Sequence, residues 1–582
     1  MGTHVASLPR ARVRTRGVYV ALAVLLMLPS LMPLSRVVGH WLAERVTVIV
    51  QGDRGQQAAV DQAVRNVDGR VVQNIGVVSG AVATIPADSV AALQSSAGVR
   101  EVTPDARVRM QSLTSSADSA TGNAAGDVGS LYNTTLISGA QSYWAAGFTG
   151  QGIDVATIDT GAVPINGLHS SGKLVFGPDL SFDSQSPTLR YLDAYGHGTH
   201  MAGIIAGRDD TAVPGQYVNQ PSEFLGMAPD SRIVSLKVGD SLGETDVSQV
   251  LAAIDWVVQH HADPGLNIRV VNMSFGTDSY QSYLYDPLAF AAEAAWHAGI
   301  VVVAATGNSG LKTGVMDPAD DPYVIAVGSA DTNGTTTTAD DIVAGYSAGG
   351  DGNRNPDLVA PGAHLEGLRD AGSYVDDNYP TARVASRLFK GSGTSQATAV
   401  VSGAAALLLS QNPALTPDMV KNLLTSTATS LTNTSSVAQG AGELNLRAAL
   451  TAVPAAAVQA FAPATGTGSL DGARGSLRVS WNGVSLSGEL DIFGSPVNTA
   501  QLAQNLTNGG DWTGGSFNGV VWTGAGFGTL VLSDGYSTQA WSTATWTASS
   551  WSGNQWSGNQ WSGNQWSGNQ WSGNQWSTGN WN

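Results

Sequence analysis

Short apolar runs alternate with helical patterns over roughly residues 135 to 455, and this alternation constrains the fold more than any other feature. Strand-like runs fall at 155–158, 233–238, 270–275, 300–303 and 323–327, and helical patterns at 248–260 and 288–297. This order is typical of a three-layer α/β domain with a mostly parallel sheet. Ligands of such sheets bind outside the carboxyl ends of the strands, so we expect an active site there.

Three short segments in this region carry an acid, a base and a nucleophile: Asp159-Thr160-Gly161, Gly196-His197-Gly198-Thr199-His200 and Gly393-Thr394-Ser395. A serine hydroxyl becomes a good nucleophile when an imidazole takes its proton, and the imidazole needs a carboxylate to hold its tautomer. Asp-Thr-Gly alone is more typical of a turn, and Gly-Thr-Ser alone of a helix cap. Together they predict a catalytic triad of Asp159, His197 and Ser395.

The surroundings of each segment suit these roles. Asp159 follows an apolar run that suits a buried strand, so its carboxylate is expected at the carboxyl edge of the sheet. His197 opens a segment of small residues that indicates a tightly packed helix. Ser395 precedes a very apolar run to Leu409, and a nucleophile at that helix N-terminus would be near the positive end of the helix dipole.

The order Asp, His, Ser is that of subtilisin, and on these motifs the chain resembles the subtilisin-like serine proteases, or subtilases. The resemblance implies a subtilisin-like fold and peptide hydrolysis with no required cofactor. Asn308, which follows the run 300–303, matches the oxyanion asparagine of the family. Asn308 and the backbone N–H of Ser395 are therefore expected to form the oxyanion hole.

The chain departs from the family pattern around the nucleophile and the asparagine. Gln396 follows the serine in place of methionine, and Ala399 stands where proline is common. Proline is tolerated but not required in the first helical turn, so we expect the chemistry to be intact. Thr306 replaces the usual small residue before Gly307, with an effect expected on pocket shape only.

The resemblance also places the substrate. An extended peptide is expected to add as a strand beside Ser274-Phe275-Gly276, with a second contact near 236–239. The first side-chain pocket is expected between that tripeptide and the wall formed by Ala304, Ala305 and Thr306. Those walls contain no acid, which favours uncharged substrate side chains.

No other histidine shows the spacing of a metal ligand. His200 is expected to be structural, and His169 and the pair His260-His261 show no ligand pattern. Calcium is common in the family as a structural ion, but the sequence does not place a site for it.

Composition excludes several classes of partner and mechanism. The formal net charge is −17, from 45 acids and 28 bases, which argues against nucleic acid as a partner. The chain has no cysteine, which excludes thiolate chemistry, thiolate zinc sites and disulfides.

Three segments precede the catalytic domain at 135–455. Residues 1–40 combine four early arginines with an apolar run and predict a signal peptide or an uncleaved signal anchor. The order βαββαβ over 44–110 indicates a small ferredoxin-like α+β domain that resembles the inhibitory propeptide of subtilases; a free-standing accessory domain is the alternative. Residues 111–134, rich in Ser, Ala and Gly near their start, are expected to be the processing linker.

The C-terminal part is unusual. Residues 456–540 are interpreted as a Gly-rich linker with two short strands around Asn482-Gly483. Over 541–582 a tryptophan falls at every fifth position, with no charged residue. This repeat predicts either a disordered tail or a solenoid. Exposed indoles in it could bind a cell-surface polysaccharide.

The sequence thus predicts a secreted or cell-surface endopeptidase, made as a self-processing zymogen, with peptides and its own propeptide as partners. An inactive protease fold that serves as a binding or adhesion protein through the tryptophan repeat is the alternative.

Overall fold

The computed structural model describes most of the chain between residues 45 and 508. It describes residues 45–53, 56–75, 79–104, 126–170, 172–185, 189–311, 314–481, 484–492 and 496–508, and short strands at 516–517, 520–521 and 575–576. The chain divides into two units, one ending at Val108 and one beginning at Arg109. The predicted signal segment at 1–40 lies outside the described residues.

The first unit is a four-stranded antiparallel sheet with two helices. Its elements are β1 (Arg45–Gly52), α1 (Gln57–Asn66), β2 (Arg70–Ile75), β3 (Gly80–Pro86), α2 (Val90–Gln94) and β4 (Val99–Pro104). The strand order is β2-β3-β1-β4, with β1 antiparallel to both β3 and β4. Its core contains buried apolar residues of β1, α1, β3 and α2, among them Val50, Val64, Ile85 and Leu93. The predicted βαββαβ order is present.

The second unit contains a predominantly parallel sheet. Its strands are β5 (Asp154–Asp159), β6 (Leu174–Asp179), β7 (Arg232–Lys237), β8 (Ile268–Met273), β9 (Val301–Ala305), β10 (Ile325–Asp331), β11 (Ile342–Val343) and β12 (Leu358–Pro361). The order is β11-β10-β9-β8-β5-β7-β6, and β12 also pairs with β10. β11 runs antiparallel to β10, whereas β5, β7, β8 and β9 pair with their neighbours in parallel.

Helices pack around this sheet. They are α3 (Leu131–Ser138), α4 (Ala140–Ala145), α5 (His197–Ala206), α6 (Val247–His260), α7 (Pro287–His297), α8 (Tyr374–Asn378), α9 (Thr394–Gln411), α10 (Pro417–Ser426), α11 (Ser436–Gln439), α12 (Leu446–Ala449), α13 (Leu470–Arg474) and α14 (Thr499–Asn508). The predicted α/β architecture is therefore correct. α9 is buried along most of its length against β8, β9 and β10, which explains why its sequence is apolar on all sides.

Short strands complete the unit. They are β13 (Leu365–Leu368), β14 (Arg383–Val384), β15 (Leu388–Ser392), β16 (Ser480–Trp481), β17 (Val484–Ser485), β18 (Ser516–Phe517), β19 (Val520–Val521) and β20 (Gln575–Trp576). β16 and β17 form the expected pair around residues 482–483. β20, the described part of the tryptophan repeat, pairs antiparallel with Gly391 and Ser392 of β15. The rest of 541–582 lies outside the described residues.

The structure corrects the interpretation of residues 456–508 as a linker. Leu470, Leu477, Ile492 and Leu502 are buried in the same hydrophobic core as the sheet. α14 packs on α7, and α13 on α6 and α7. The segment contains few long apolar runs, so its local sequence does not indicate that it packs against distant helices.

The predicted processing linker at 111–134 also ends too late. α3 begins at Leu131, which is buried in the main core, and Ser130 caps it by accepting from the amide of Asn133. The catalytic unit therefore includes residues before 135. Residues 111–125 lie outside the described part, and no described helix is long and apolar enough to cross a bilayer.

Candidate active site

Asp159 is the last residue of β5, and its carboxylate is completely buried. Oδ1 accepts hydrogen bonds from the backbone amide of Thr160 at 2.7 Å and from His197 Nδ1 at 2.9 Å. Oδ2 lies 3.1 Å from the same imidazole nitrogen. The predicted acid and base are therefore in direct contact. The contact places the proton of the neutral ring on Nδ1, so Nε2 carries the basic lone pair.

His197 is the first residue of α5 and is also fully buried. Two glycines make its approach to the acid possible. Gly196 has a φ of 102°, where side chains are strained, and a Cβ there would lie 2.4 Å from Ser373 Oγ. A Cβ on Gly198 would lie 2.0 Å from the carbonyl oxygen of Gly161. These glycines let α5 begin against the turn that follows Asp159.

A second carboxylate, Asp193, connects that turn to α5. Its Oδ1 accepts from Thr160 Oγ1 and from the amide of Gly196, each at 2.7 Å. Its Oδ2 accepts from the amide of Thr199 at 2.7 Å, in the first turn of the helix. Thr160 Oγ1 in turn accepts from the amide of Gly198 at 2.9 Å. Asp193 thus satisfies amides of the helix N-terminus and fixes the position of the imidazole.

Ser395 is the second residue of α9 and is 1% exposed. Its Oγ donates to the carbonyl oxygen of Ser274 at 2.8 Å. Ser274 Oγ donates to the carbonyl oxygen of Ser395 at 3.1 Å and accepts from Asn272 Nδ2 at 2.9 Å. The predicted nucleophile is therefore fixed to the end of β8 by reciprocal hydrogen bonds.

Asn308 lies in the loop after β9, and its side chain is oriented by Thr394. Oδ1 accepts from the amide of Thr394 at 2.8 Å and from Thr394 Oγ1 at 3.0 Å. A flipped amide would place its NH2 group against the Thr394 N–H donor, so the chemistry selects this orientation. Nδ2 is then the donor end of the side chain, held next to the residue that precedes Ser395.

Burial governs the electrostatics of the site. Burial raises the pKa of Asp159 above its ordinary value, while the charge and hydrogen bond of His197 and the Thr160 amide oppose this shift. Burial lowers the pKa of His200 to about 3, so this ring is neutral at physiological pH. A Cβ on Gly367 would lie 2.6 Å from the His200 ring, which shows how closely β13 packs on it.

The predicted pocket walls are close together. Ser274, Phe275 and Gly276 follow β8, Ala304 and Ala305 end β9, and Thr306 comes next. Residues 315–317 connect the walls: the amide of Met316 donates to the carbonyl of Thr306 at 3.1 Å, and Asp317 and Thr277 exchange backbone hydrogen bonds.

Met316 occupies space between these walls. A Cβ on Gly276 would lie 2.9 Å from Met316 Cβ, and a Cβ on Gly307 would lie 2.5 Å from Met316 Sδ. Met316 therefore lies against both segments, with its Cβ beside Gly276 and its thioether beside Gly307. Burial and the neighbouring Asp286 and Asp320 raise the pKa of Asp317 well above its usual value, so this acid beside the pocket resists ionisation.

Known proteins are similar to this chain over the unit that carries these residues. The family described as "Subtilase family" matches residues 150–442. The chain is 38% identical over 283 residues to "Serine protease AprX" of Bacillus subtilis (strain 168), covering 47% of this chain and 61% of that protein. It is 33% identical over 321 residues to "Subtilisin DY" of Bacillus licheniformis, covering 55% of this chain and 97% of that protein.

The chain belongs to the subtilase family.

The comparisons also support its classification as a subtilisin-like serine endopeptidase. Residues 39–105 match a domain described as "Putative peptidase inhibitor domain", which covers the first unit of the fold. A solved structure titled "Crystal structure of a cold adapted subtilisin-like serine proteinase" is 28% identical and covers 51% of this chain and 90% of that chain, with a TM-score of 0.39.

One expected substrate contact of this subtilase is wrong. Leu236 and Lys237 belong to β7, which is paired with β5 on one side and with β6 on the other. An internal strand has no edge to offer a peptide. The amides of Val238 and Gly239 donate to the carbonyl of Asp159, which ties this segment to the predicted catalytic acid instead.

The other histidines have local partners. His169 lies 3.6 Å from Asp210, His260 bonds to Asp263, and His261 bonds to the carbonyl of Val258. Within the described ranges, no group of three or more acidic, histidine or cysteine side chains is arranged to hold a metal ion. The calcium that the family resemblance implies is therefore not placed.

The sequence reasoning missed Asp193 and Met316. Asp193 lies four residues before His197, so an acid close to the base motif was the available signal. Met316 is eight residues beyond Asn308 and carries no motif. Only the backbone pairing of its segment with both pocket walls reveals it.

We predict that Asn308→Asp, which keeps the acceptor for Thr394 but removes the amide donor, lowers kcat by about 10²–10³-fold with little change in KM, the range known for one such donor in subtilisin. The donor acts mainly when the substrate carbonyl becomes an anion. Steady-state kinetics on a chromogenic peptide, with Asn308→Ala alongside, would test this. Unchanged turnover of both variants would remove Asn308 from the oxyanion hole.

A second prediction concerns Met316→Ala, which should open the pocket between Gly276 and Gly307. We expect the ratio of kcat/KM for a Phe substrate to that for an Ala substrate to rise roughly tenfold or more, since each methylene in a pocket can discriminate by such a factor. Met316→Leu conserves volume and serves as the control. An unchanged ratio in Met316→Ala would place the pocket elsewhere.

Proposed function

We propose that this chain is a secreted serine endopeptidase that uses Asp159, His197 and Ser395 as its catalytic triad and is made as a self-processing zymogen. The observation that carries the proposal is the buried contact between Asp159 and His197 Nδ1 at 2.9 Å. A buried carboxylate on Nδ1 is what a histidine needs in order to act as a general base through Nε2.

In the first step, the Ser395 hydroxyl turns from the Ser274 carbonyl toward His197 and gives its proton to Nε2. Ser395 Oγ forms a bond to the substrate carbonyl carbon, and the π electrons of the carbonyl move to the carbonyl oxygen. Such catalytic hydrogen bonds commonly tighten only with substrate bound. Asp159 stabilises the imidazolium and is not itself protonated.

The resulting oxyanion is held by Asn308 Nδ2 and by the backbone N–H of Ser395, near the positive end of α9. The imidazolium then protonates the leaving amine, the C–N bond breaks, and Ser395 carries the acyl group. Water gives a proton to His197 and attacks the acyl carbon. The bond between that carbon and Ser395 Oγ then breaks, the imidazolium returns the proton to Oγ, and the acid leaves. No step requires a cofactor or passes through a metal ion.

The substrate is expected to be an extended peptide beside Ser274-Phe275-Gly276, with an uncharged side chain in the pocket bounded by Ala304, Ala305 and Thr306. A pocket narrowed by Met316 favours small or slender side chains. Strong negative charge on the protein favours a protein substrate over nucleic acid.

The match of residues 39–105 to an inhibitor domain supports the zymogen proposal. In this proposal the domain inhibits the enzyme until the segment that follows it is cleaved. Extracellular or cell-surface location is proposed from the arginines and apolar run of residues 1–40.

We expect Ser395→Ala to abolish peptidase activity and to leave residues 44–110 attached, because loss of the nucleophile removes both reactions. Mass spectrometry of the termini of parent and variant, each expressed alone, would measure processing. An active-serine phosphonate should label the parent and not the variant. A variant that matures normally would exclude self-processing, and a parent that takes no label would favour the inactive adhesion protein.

We further propose that residues 541–582 retain the enzyme on a cell-wall polysaccharide. Regularly spaced, uncharged tryptophans make a poor soluble core, but each indole face can stack on a sugar ring. This binding role is separate from catalysis.

Truncation after Gly535 should preserve hydrolysis of a chromogenic peptide and reduce pull-down with isolated cell walls. The full chain, with Ser395→Ala to prevent degradation, provides the reference for binding. Equal pull-down of both lengths would contradict the anchoring role, and loss of peptidase activity on truncation would make the tail part of the catalytic fold.

A further inference from the structure

The described residues of 464–508, here named the C-terminal brace, form a folded addition to the catalytic unit. They contain α13, the β16–β17 pair and α14, and they lie wholly beyond the family match, which ends at residue 442. Their contacts with the rest of the unit include two segments that lead to the proposed site. One segment follows β8, and the other leads into α6.

The first contact is an ion pair between Arg474 and Asp246. Arg474 Nε lies 2.7 Å from Asp246 Oδ1, Nη2 lies 3.1 Å from Oδ2, and both side chains are 0% exposed. Arg474 also donates to the carbonyls of Gly488 and Leu490 at 2.6 and 2.5 Å. A buried guanidinium with this many acceptors is rigidly held.

Asp246 connects Arg474 to the centre of the site through hydrogen bonds. It is the N-cap of α6, where it forms a capping box with Gln249. Gln249 Nε2 donates to the carbonyl of Val238 at 2.9 Å. Val238 in turn donates its amide to the carbonyl of Asp159 at 2.8 Å. Three residues, Asp246, Gln249 and Val238, therefore connect Arg474 to the catalytic acid through hydrogen bonds.

The second contact holds the loop that continues from Gly276. Thr277 Oγ1 donates to the carbonyl of Ala473 at 2.6 Å. The amide of Tyr280 donates to the carbonyl of Gly472 at 3.1 Å, and the amide of Gly468 donates to the carbonyl of Tyr285 at 2.7 Å. Thr277 is also the residue whose backbone pairs with Asp317 behind the pocket.

We propose that the C-terminal brace positions the peptide-binding cleft, with Arg474 and Thr277 as positioning residues. Adjacent residues of α13 hold two segments of the site. Ala473 holds the wall after β8, and Arg474 holds the start of α6, which is connected to the catalytic acid. The proposal rests on the endopeptidase function above, because it concerns how firmly an extended peptide is bound. Neither Arg474 nor Thr277 touches the reacting atoms.

The test uses the full-length protein with four variants. Thr277→Val removes one hydrogen bond at nearly constant shape. Arg474→Lys keeps the charge, and Arg474→Gln removes it. Arg478→Gln is the control because it breaks a partly exposed ion pair with Asp471 within the same brace. Active serines are counted with a phosphonate label, and kinetics per labelled site are measured on a tetrapeptide anilide and on a single-residue ester.

We expect Thr277→Val and Arg474→Lys to raise the tetrapeptide KM roughly three- to tenfold, the range of one net hydrogen bond, with kcat nearly unchanged. Arg474→Gln should raise the tetrapeptide KM more than Arg474→Lys does. The ester, which does not span the cleft, should react normally in all variants, and Arg478→Gln should match the parent throughout.

An unchanged tetrapeptide KM per labelled site in Thr277→Val overturns the proposal, even if the thermal unfolding midpoint falls, because the contact would then only stabilise the fold. If both Arg474 variants fail to fold, Thr277→Val alone decides. Failure of the endopeptidase function is distinguishable, because the parent itself would then take no label.

Discussion

Burial of the Asp159–His197 pair is the constraint on which the rest of the site depends. A carboxylate removed from water needs hydrogen bonds and an opposite charge to remain ionised. The structure provides both through the Thr160 amide and the imidazole, and it brings α5 into reach with glycines on either side of His197. Because these contacts leave no room for a Cβ, the motif Gly-His-Gly is as much a packing requirement as a chemical one.

The sequence was informative wherever one local segment determines both the place of a residue in the fold and the chemical group that it carries. The apolar run before Asp159 predicted a strand ending in the acid, and β5 ends at that residue. Ser395 was expected at a helix N-terminus, and α9 begins at Thr394. The βαββαβ order of the first unit followed from regular alternation and turn residues. In each case the signal lies within about ten neighbouring residues.

Contacts between distant segments could not be predicted in this way. β7 was expected to offer an edge to substrate, but its position between β5 and β6 depends on strand order, which apolar patterns do not encode. Met316 lies between the segments after β8 and after β9 because residues 316 and 317 pair with Thr306 and Thr277, which are distant from each other in sequence. The partnership of Arg474 with Asp246 spans 228 positions, and neither residue has a sequence context that indicates the other.

The buried C-terminal brace also changes what counts as the minimal folding unit. A chain ended at the family boundary would leave the Asp246 carboxylate without its guanidinium. It would also uncover apolar surface on α6 and α7, against which α13 and α14 pack. Exposed apolar patches of this kind promote association between molecules. Solubility of the protease therefore depends on residues that lie beyond the region recognisable as protease.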